Sequence, residues 1–140
     1  MSTITRQEAL AQLTAAGQDY EINQQTIDGL PIRTFSNAPE SLRQLFADAT
    51  SEATFYVFGD ERYTFNEMYC LSARLANALK HRYGIAKGDR VAISMRNYPE
   101  WVAAFMASTS IGAVAVAMNA WWEADEIEQG LEDCGATVML

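Results

Sequence analysis

Few side chains in this sequence can do covalent chemistry. It has one histidine, His81, and two cysteines, Cys70 and Cys134. No Ser-His-Asp or Cys-His arrangement can be assembled with confidence around a single imidazole. No CxxC is present, and no spacing singles out a pair of carboxylates. One imidazole and two isolated thiols are too few ligands for a transition metal. His81 falls in the last turn of a predicted helix, where a cation suits the helix dipole. The cysteines fall in predicted amphipathic helices and are expected as small buried thiols, which fits a reducing cytoplasm. No catalytic residue and no metal ligand is assigned.

Phosphate recognition fares no better. Loops that cradle phosphate use closely spaced glycines, so that backbone amides reach the anion at a helix N-terminus. The glycines here stand at 17, 29, 59, 84, 88, 112, 130 and 135. Each is assigned to a turn or a helix end, so neither a dinucleotide fingerprint nor a Walker loop can be drawn. The remaining candidates lie where strands give way to helices, the place where open α/β sheets bind ligands. These are Arg96-Asn97-Tyr98-Pro99 and Asn119-Ala120-Trp121-Trp122. Asn97 and Asn119 can donate to a ligand or cap the following helices, and capping is the commoner use. Trp121 and Trp122 are costly in an exposed loop unless they pack or bind. They are expected as a lid over the sheet end, a contact with further protein, or a ligand contact.

The elements that must position these loops follow from periodicity. Thr5 to Ala16 predicts a short helix closed by Gly17. Tyr20–Ile27 and Leu30–Phe35 flank Asp28-Gly29, a strong hairpin signal. Pro39 opens a predicted helix through Ala47. Thr54–Phe58 and Arg62–Thr64 form a second hairpin around Gly59-Asp60. Thr64-Phe65-Asn66-Glu67 is a capping box. It starts a helix whose core stripe is Phe65, Met68, Tyr69, Ser72, Leu75, Ala76, Leu79 and Tyr83, and Gly84 ends it. Then come an apolar strand at Val91–Met95, a helix from Pro99 to Ile111, a strand at Ala113–Met118, a helix at Ala124–Cys134 closed by Gly135, and a strand at Thr137–Leu140.

Apolar strands joined by helices indicate a parallel sheet covered on both faces. The fold class is α/β: a partial doubly wound parallel sheet with helices on both faces, preceded by two β-hairpins and N-terminal helices. The organisation is a leader at 1–50 and an α/β half-sheet at 51–140. The last strand is expected to be an unprotected stub, as in a truncated sheet. Apolar surface around Trp121, Trp122 and Val138–Leu140 is expected to drive self-association.

Composition narrows the partners. The 140 residues carry 10 Lys and Arg against 18 Asp and Glu, a net charge of −8. Scattered basic residues and that acidic excess argue against nucleic acid. The acidic cluster from Glu123 to Asp133 is expected as a solvated helix face. Trp101 to Trp122 contains no charged residue, a length that can span a bilayer. Ser108, Thr109 and Ser110 at its middle, its Ala and Gly content, its acidic flanks and the break at Gly112 favour a buried helix followed by a strand. No transmembrane segment is assigned.

Several motifs then resemble one family in order and spacing. Tyr63-Thr64-Phe65-Asn66-Glu67 with Arg74-Leu75-Ala76-Asn77-Ala78-Leu79 is similar to the YTFxEL…RLANAL segment of adenylate-forming enzymes. Gly84 to Ile93 resembles GVxKGDRVAI, Asn97 to Trp101 resembles NxPEF, Ile111 to Asn119 resembles GAVxVPxNP, and Leu131 to Ala136 resembles LxDSGA. Tyr20 to Phe46 resembles the leader of fatty-acyl-CoA synthetases. The resemblance implies the N-terminal part of an AMP-forming acyl-CoA synthetase, inactive by itself. The full enzyme would use ATP, Mg and CoA on a small-molecule carboxylate, and the fragment would bind none of them. Its partner would be the remainder of the synthetase chain, which carries the phosphate loop, the acidic motifs and the catalytic lysine. By the same resemblance, Asn119 and Trp121 lie in a loop on the CoA side, although Ala120-Trp121-Trp122 departs from the family's usual Pro-Arg. The alternatives are a standalone α/β ligand- or partner-binding module, or a membrane-associated subunit.

Overall fold

The computed structural model describes residues 4–140, which divide into two compact units, one up to Glu40 and one from Ser41 to Leu140. In the first unit, helix α1 (Arg6–Leu13) starts at a capping box of Thr5 and Glu8 and ends earlier than the predicted Ala16. Thr14 closes it by bonding back to the Leu10 carbonyl through both its amide and its hydroxyl. Strands β1 (Ile22–Ile27) and β2 (Leu30–Phe35) pair antiparallel, with Ile27 opposite Leu30. The tight turn needs two positive φ angles, which Asp28 at 50° and Gly29 at 80° supply.

The second unit opens with α2 (Leu42–Asp48). Ser41 caps it by accepting from the Gln44 amide, so the helix starts past Pro39 rather than at it. Strands β3 (Thr54–Phe58) and β4 (Glu61–Thr64) form the second hairpin. It leads into α3 (Phe65–His81) through the predicted capping box of Thr64 and Glu67. The rest alternates: β5 (Arg90–Ile93), α4 (Pro99–Ser110), β6 (Val114–Ala117), α5 (Ala124–Cys134) and β7 (Val138–Met139). The three strands are parallel in the order β6-β5-β7. Parallel crossovers are right-handed, so leaving β5 to one side and returning to the other puts α4 and α5 on opposite faces.

The core lies between α3, α4 and the central strand. Ala76, Leu79, Ile85, Val91, Ala107 and Ala113 form one cluster. Met68, Ala103 and Met106 form another, with Phe46, Tyr56 and Tyr63 packed against it. Alanines on α4 let α3 approach closely. The hydroxyls in this dry region donate to carbonyls one turn back: Ser72 to Met68 at 2.7 Å, Ser108 to Ala104 at 2.8 Å, Thr109 to Phe105 at 2.7 Å. That is how Ser108 and Thr109 are accommodated in the apolar last turn of α4. Among the described residues no helix is long and apolar enough to cross a membrane.

Three expectations change. Tyr83 lies past the end of α3 and is exposed, so it leaves the predicted stripe. Cys70 is exposed, because it lies off the buried Met68-Ser72-Ala76-Leu79 face; Cys134 is half-buried. Gly130 has neither a turn nor a helix-end role. It lies inside α5, where an added Cβ would stand 2.7 Å from Cζ3 of Trp122.

Candidate functional site at the carboxyl end of the parallel sheet

Past Ile93, the chain leaving β5 carries Arg96, Asn97 and Tyr98 before Pro99 starts α4. Past Ala117, the chain leaving β6 carries Asn119, Trp121 and Trp122 before α5. The Asn119 side-chain oxygen accepts from the Trp121 amide at 3.0 Å, and its carbonyl accepts from the Trp122 amide at 3.2 Å. Asn119 therefore builds a turn within the loop and does not cap a helix; α5 is capped by Glu123 and Glu126. Asn97 does not cap α4 either, since Tyr98 occupies that position without a side-chain bond. The Asn97 carbonyl accepts from the Tyr56 hydroxyl at 3.0 Å, which ties the loop to β3.

This turn sends the two tryptophans different ways. Trp122 is half-buried against Gly130 and Met118. Trp121 stays 71% exposed, with the Arg96 guanidinium 3.8 Å from its ring centroid. That separation is a cation–π stack. Tyr98 meets Phe58 edge-to-face at 5.3 Å. Phe58, Arg96, Asn97, Tyr98 and Trp121 together line an open concavity of about 480 Å³. Arg96 was missed as a site residue. The available signal was a lone cation just past the carboxyl end of a strand, beside a loop with two tryptophans.

Chemically, this is a surface for binding and not for bond-making. It offers an aromatic face, a guanidinium whose edge donors remain available to an anion, and no nucleophile or general base. Among the described residues no group of three His, Cys, Asp or Glu is placed to hold a metal. The glycines with positive φ are separate turn residues and form no phosphate cradle. Among the described residues there is thus neither a cradle for a triphosphate nor a carboxylate cluster for its Mg ion. The Arg96–Trp121 pair does fit a ligand with a planar ring and an anionic group.

Parallel strands joined by helices, with a concavity beyond their carboxyl ends, define an open α/β sheet of the kind that binds ligands at that edge. Residues 44–140 match the family described as AMP-binding enzyme, and the chain belongs to that family. It is 41% identical over 81 residues to a long-chain-fatty-acid–CoA ligase of Mycobacterium tuberculosis, covering 58% of this chain and 16% of that protein. It is 38% identical over 81 residues to the acetyl-coenzyme A synthetase of Sinorhizobium medicae, covering 58% of this chain and 12% of the relative. Among solved structures, an anthranilate CoA ligase in complex with anthranoyl-AMP superposes with a TM-score of 0.69 at 27% identity, over 74% of this chain and 21% of that one. A Mycobacterium tuberculosis fatty acyl CoA synthetase gives 0.63 at 36% identity, over 70% and 20%. The chain thus spans less than a fifth of the length of these curated relatives.

Proposed function

We propose that the chain forms the opening α/β segment of an AMP-forming acyl-CoA synthetase. The reaction of that enzyme converts a carboxylate, ATP and CoA into acyl-CoA, AMP and diphosphate by way of an acyl-adenylate. One observation carries this reading: the family match over residues 44–140 coincides with an ordered β5-α4-β6-α5-β7 unit. The role of these residues is positional. They hold part of the parallel sheet and its carboxyl edge in place, and the chemistry belongs to residues outside this chain. At that edge, Asn119 and Trp121, joined by Arg96, are assigned to the CoA side. Asn119 shapes the turn, Trp121 gives a stacking face and Arg96 gives an anion contact. A cytoplasmic setting fits the two free thiols.

The test is AMP release by the product of the whole reading frame, with ATP, Mg, CoA and a panel of acetate, aryl and fatty carboxylates. Acyl-CoA formation with at least one is expected, and none with any would overturn the reading in favour of a standalone module. Titration of the 140-residue chain alone with ATP should show no binding. Micromolar affinity would contradict the assignment of ATP to residues elsewhere. Of the surface expected to self-associate, Trp122, Val138 and Leu140 are half-buried, so it is the exposed Trp121 and Met139 that should drive concentration-dependent oligomers in size exclusion.

A further inference from the structure

A second concavity, of about 350 Å³, is lined by residues of α2, α3 and α4 and by none of the tryptophan loop. Its polar lining includes Arg43, Tyr69, Asn77, Lys80, His81 and Ser110, and no acidic residue contributes. Ala73, Ala76 and Met106 add apolar surface. The chain as a whole has net charge −8, so a depression lined by three basic side chains and no carboxylate runs against its composition.

The sequence shows the same bias independently. Between Glu67 and Asp89 there is no acidic residue, and that interval holds Arg74, Lys80, His81, Arg82 and Lys87. Lys80 and His81 lie in the last turn of α3, where the helix dipole welcomes a cation. The dipole does not account for Arg43. That residue lies in the first turn of α2, where a cation is disfavoured and no acidic residue compensates. Charges from two elements, one of them against its own helix dipole, converge on one depression.

We propose that this depression binds a phosphomonoester with a small organic body. Arg43 and Lys80 supply the charge, Asn77, Tyr69 and Ser110 are the neutral donors, and Ala73, Ala76 and Met106 meet the organic part. A dianion matches the positive lining. The volume exceeds that of free phosphate and falls in the range of small-ligand pockets. The concave shape favours a discrete ligand over a flat bilayer. This site is independent of the synthetase reading, since it lies on α2, α3 and α4 and not at the sheet edge.

The experiment is an amide NMR titration of the 140-residue chain with phenyl phosphate, with inorganic phosphate as a parallel arm. Vesicles of neutral and of anionic phospholipid form a third arm, read by flotation. Saturable shifts are expected around Asn77–His81 and Ser110, with phenyl phosphate tighter than phosphate. Lys80→Gln and Arg43→Gln should each weaken binding about tenfold. Arg74→Gln removes an equal charge from the same helix but does not line the depression, and should leave affinity unchanged. Arg43 and Lys80 are exposed, so these variants should keep the wild-type amide spectrum elsewhere. Non-saturating shifts would overturn the proposal, as would equal weakening by Arg74→Gln. Flotation with anionic vesicles without small-ligand binding would also overturn it and identify a basic surface for membranes.

Discussion

The unit ending at Glu40 and the unit beginning at Ser41 use the same parts, a capped helix and a tight antiparallel hairpin, yet only one has a core. Among the described residues up to Glu40, none is fully buried. Leu10 and Leu13 of α1 are each 51% exposed, and β1 places four polar residues, Asn23, Gln24, Gln25 and Thr26, between its apolar ends. In the second unit, Met68, Leu79, Val91, Ile93 and Ser108 are sealed from water. Periodicity and turn chemistry are enough to form an element. Burial needs a further layer, which α3 and α4 provide over the parallel sheet and which a lone hairpin with one short helix lacks.

Amide exchange should show the largest contrast. The β5 amides at Val91, Ala92 and Ile93 are expected to open only with global unfolding. Those of the β1–β2 ladder should open locally, exchanging about a thousandfold faster or more. Equal protection in both would dissolve the comparison.

Side-chain truncation sharpens it next. Leu79→Ala removes a side chain with no solvent exposure from the α3–α4 core. The expected loss is about 2–5 kcal/mol in denaturant unfolding. Ile32→Ala removes a 40% exposed side chain from β2 and should cost under about 0.5 kcal/mol. Comparable losses would mean that the first unit has burial this structure does not show.

Much of this architecture was legible because the signals were local. Asp28-Gly29 dictates a turn, Thr64 and Glu67 dictate a helix start, and Gly135 at φ 61° closes α5 where the sequence placed it. Two of the misses, Gly130 and Arg96, depend on contacts beyond the reach of a local pattern, and the third, Asn119, is a local turn in place of the expected helix cap. Gly130 reads as a loop or helix-end residue until Trp122 is seen packed over it. Asn119 was read as a helix cap or ligand donor, and its side-chain oxygen is engaged by the Trp121 amide two positions on. Arg96 gains meaning only when β5 and β6 lie side by side and bring Trp121 to it. Propensity reaches three or four residues along the chain, whereas a site edge is assembled across strands.

The capping boxes offer a matched pair at smaller scale. Thr64→Ala removes the hydroxyl that accepts from the Glu67 amide at the start of a helix that carries the core, and leaves the Thr64 amide still donating to the Glu67 carboxylate. It should cost about 1 kcal/mol of global stability. Thr5→Ala removes the equivalent hydroxyl, which accepts from the Glu8 amide and donates to its carboxylate, in α1, a helix with no buried residue. It should leave the global unfolding midpoint unchanged and fray α1 alone, visible as lost helical amide shifts at Arg6–Leu13. A global loss in both would show that the two units unfold as one.

The smallest expected effect is a titration in that same box. The Glu8 carboxylate accepts from the Thr5 backbone amide at 2.9 Å and from its hydroxyl at 2.7 Å. These bonds, the backbone one first, hold its pKa below the ordinary carboxylate value, with slight desolvation opposing. The sign follows from linkage. A carboxylate whose folded pKa is depressed stabilises the folded form above its unfolded pKa, and that contribution is lost as pH falls through the lowered value. The group is fully exposed, so the effect belongs to α1 and not to global unfolding. A carboxyl-carbon NMR titration should place the Glu8 midpoint below those of unbonded glutamates, with helical shifts in α1 fading over the same acidic window. Thr5→Ala removes the hydroxyl bond and keeps the backbone one, so it should raise the midpoint only part of the way to the ordinary range. A wild-type Glu8 midpoint no lower than those of the other glutamates would mean that the box does not hold α1 in solution, and the first unit would then lack even its helix start.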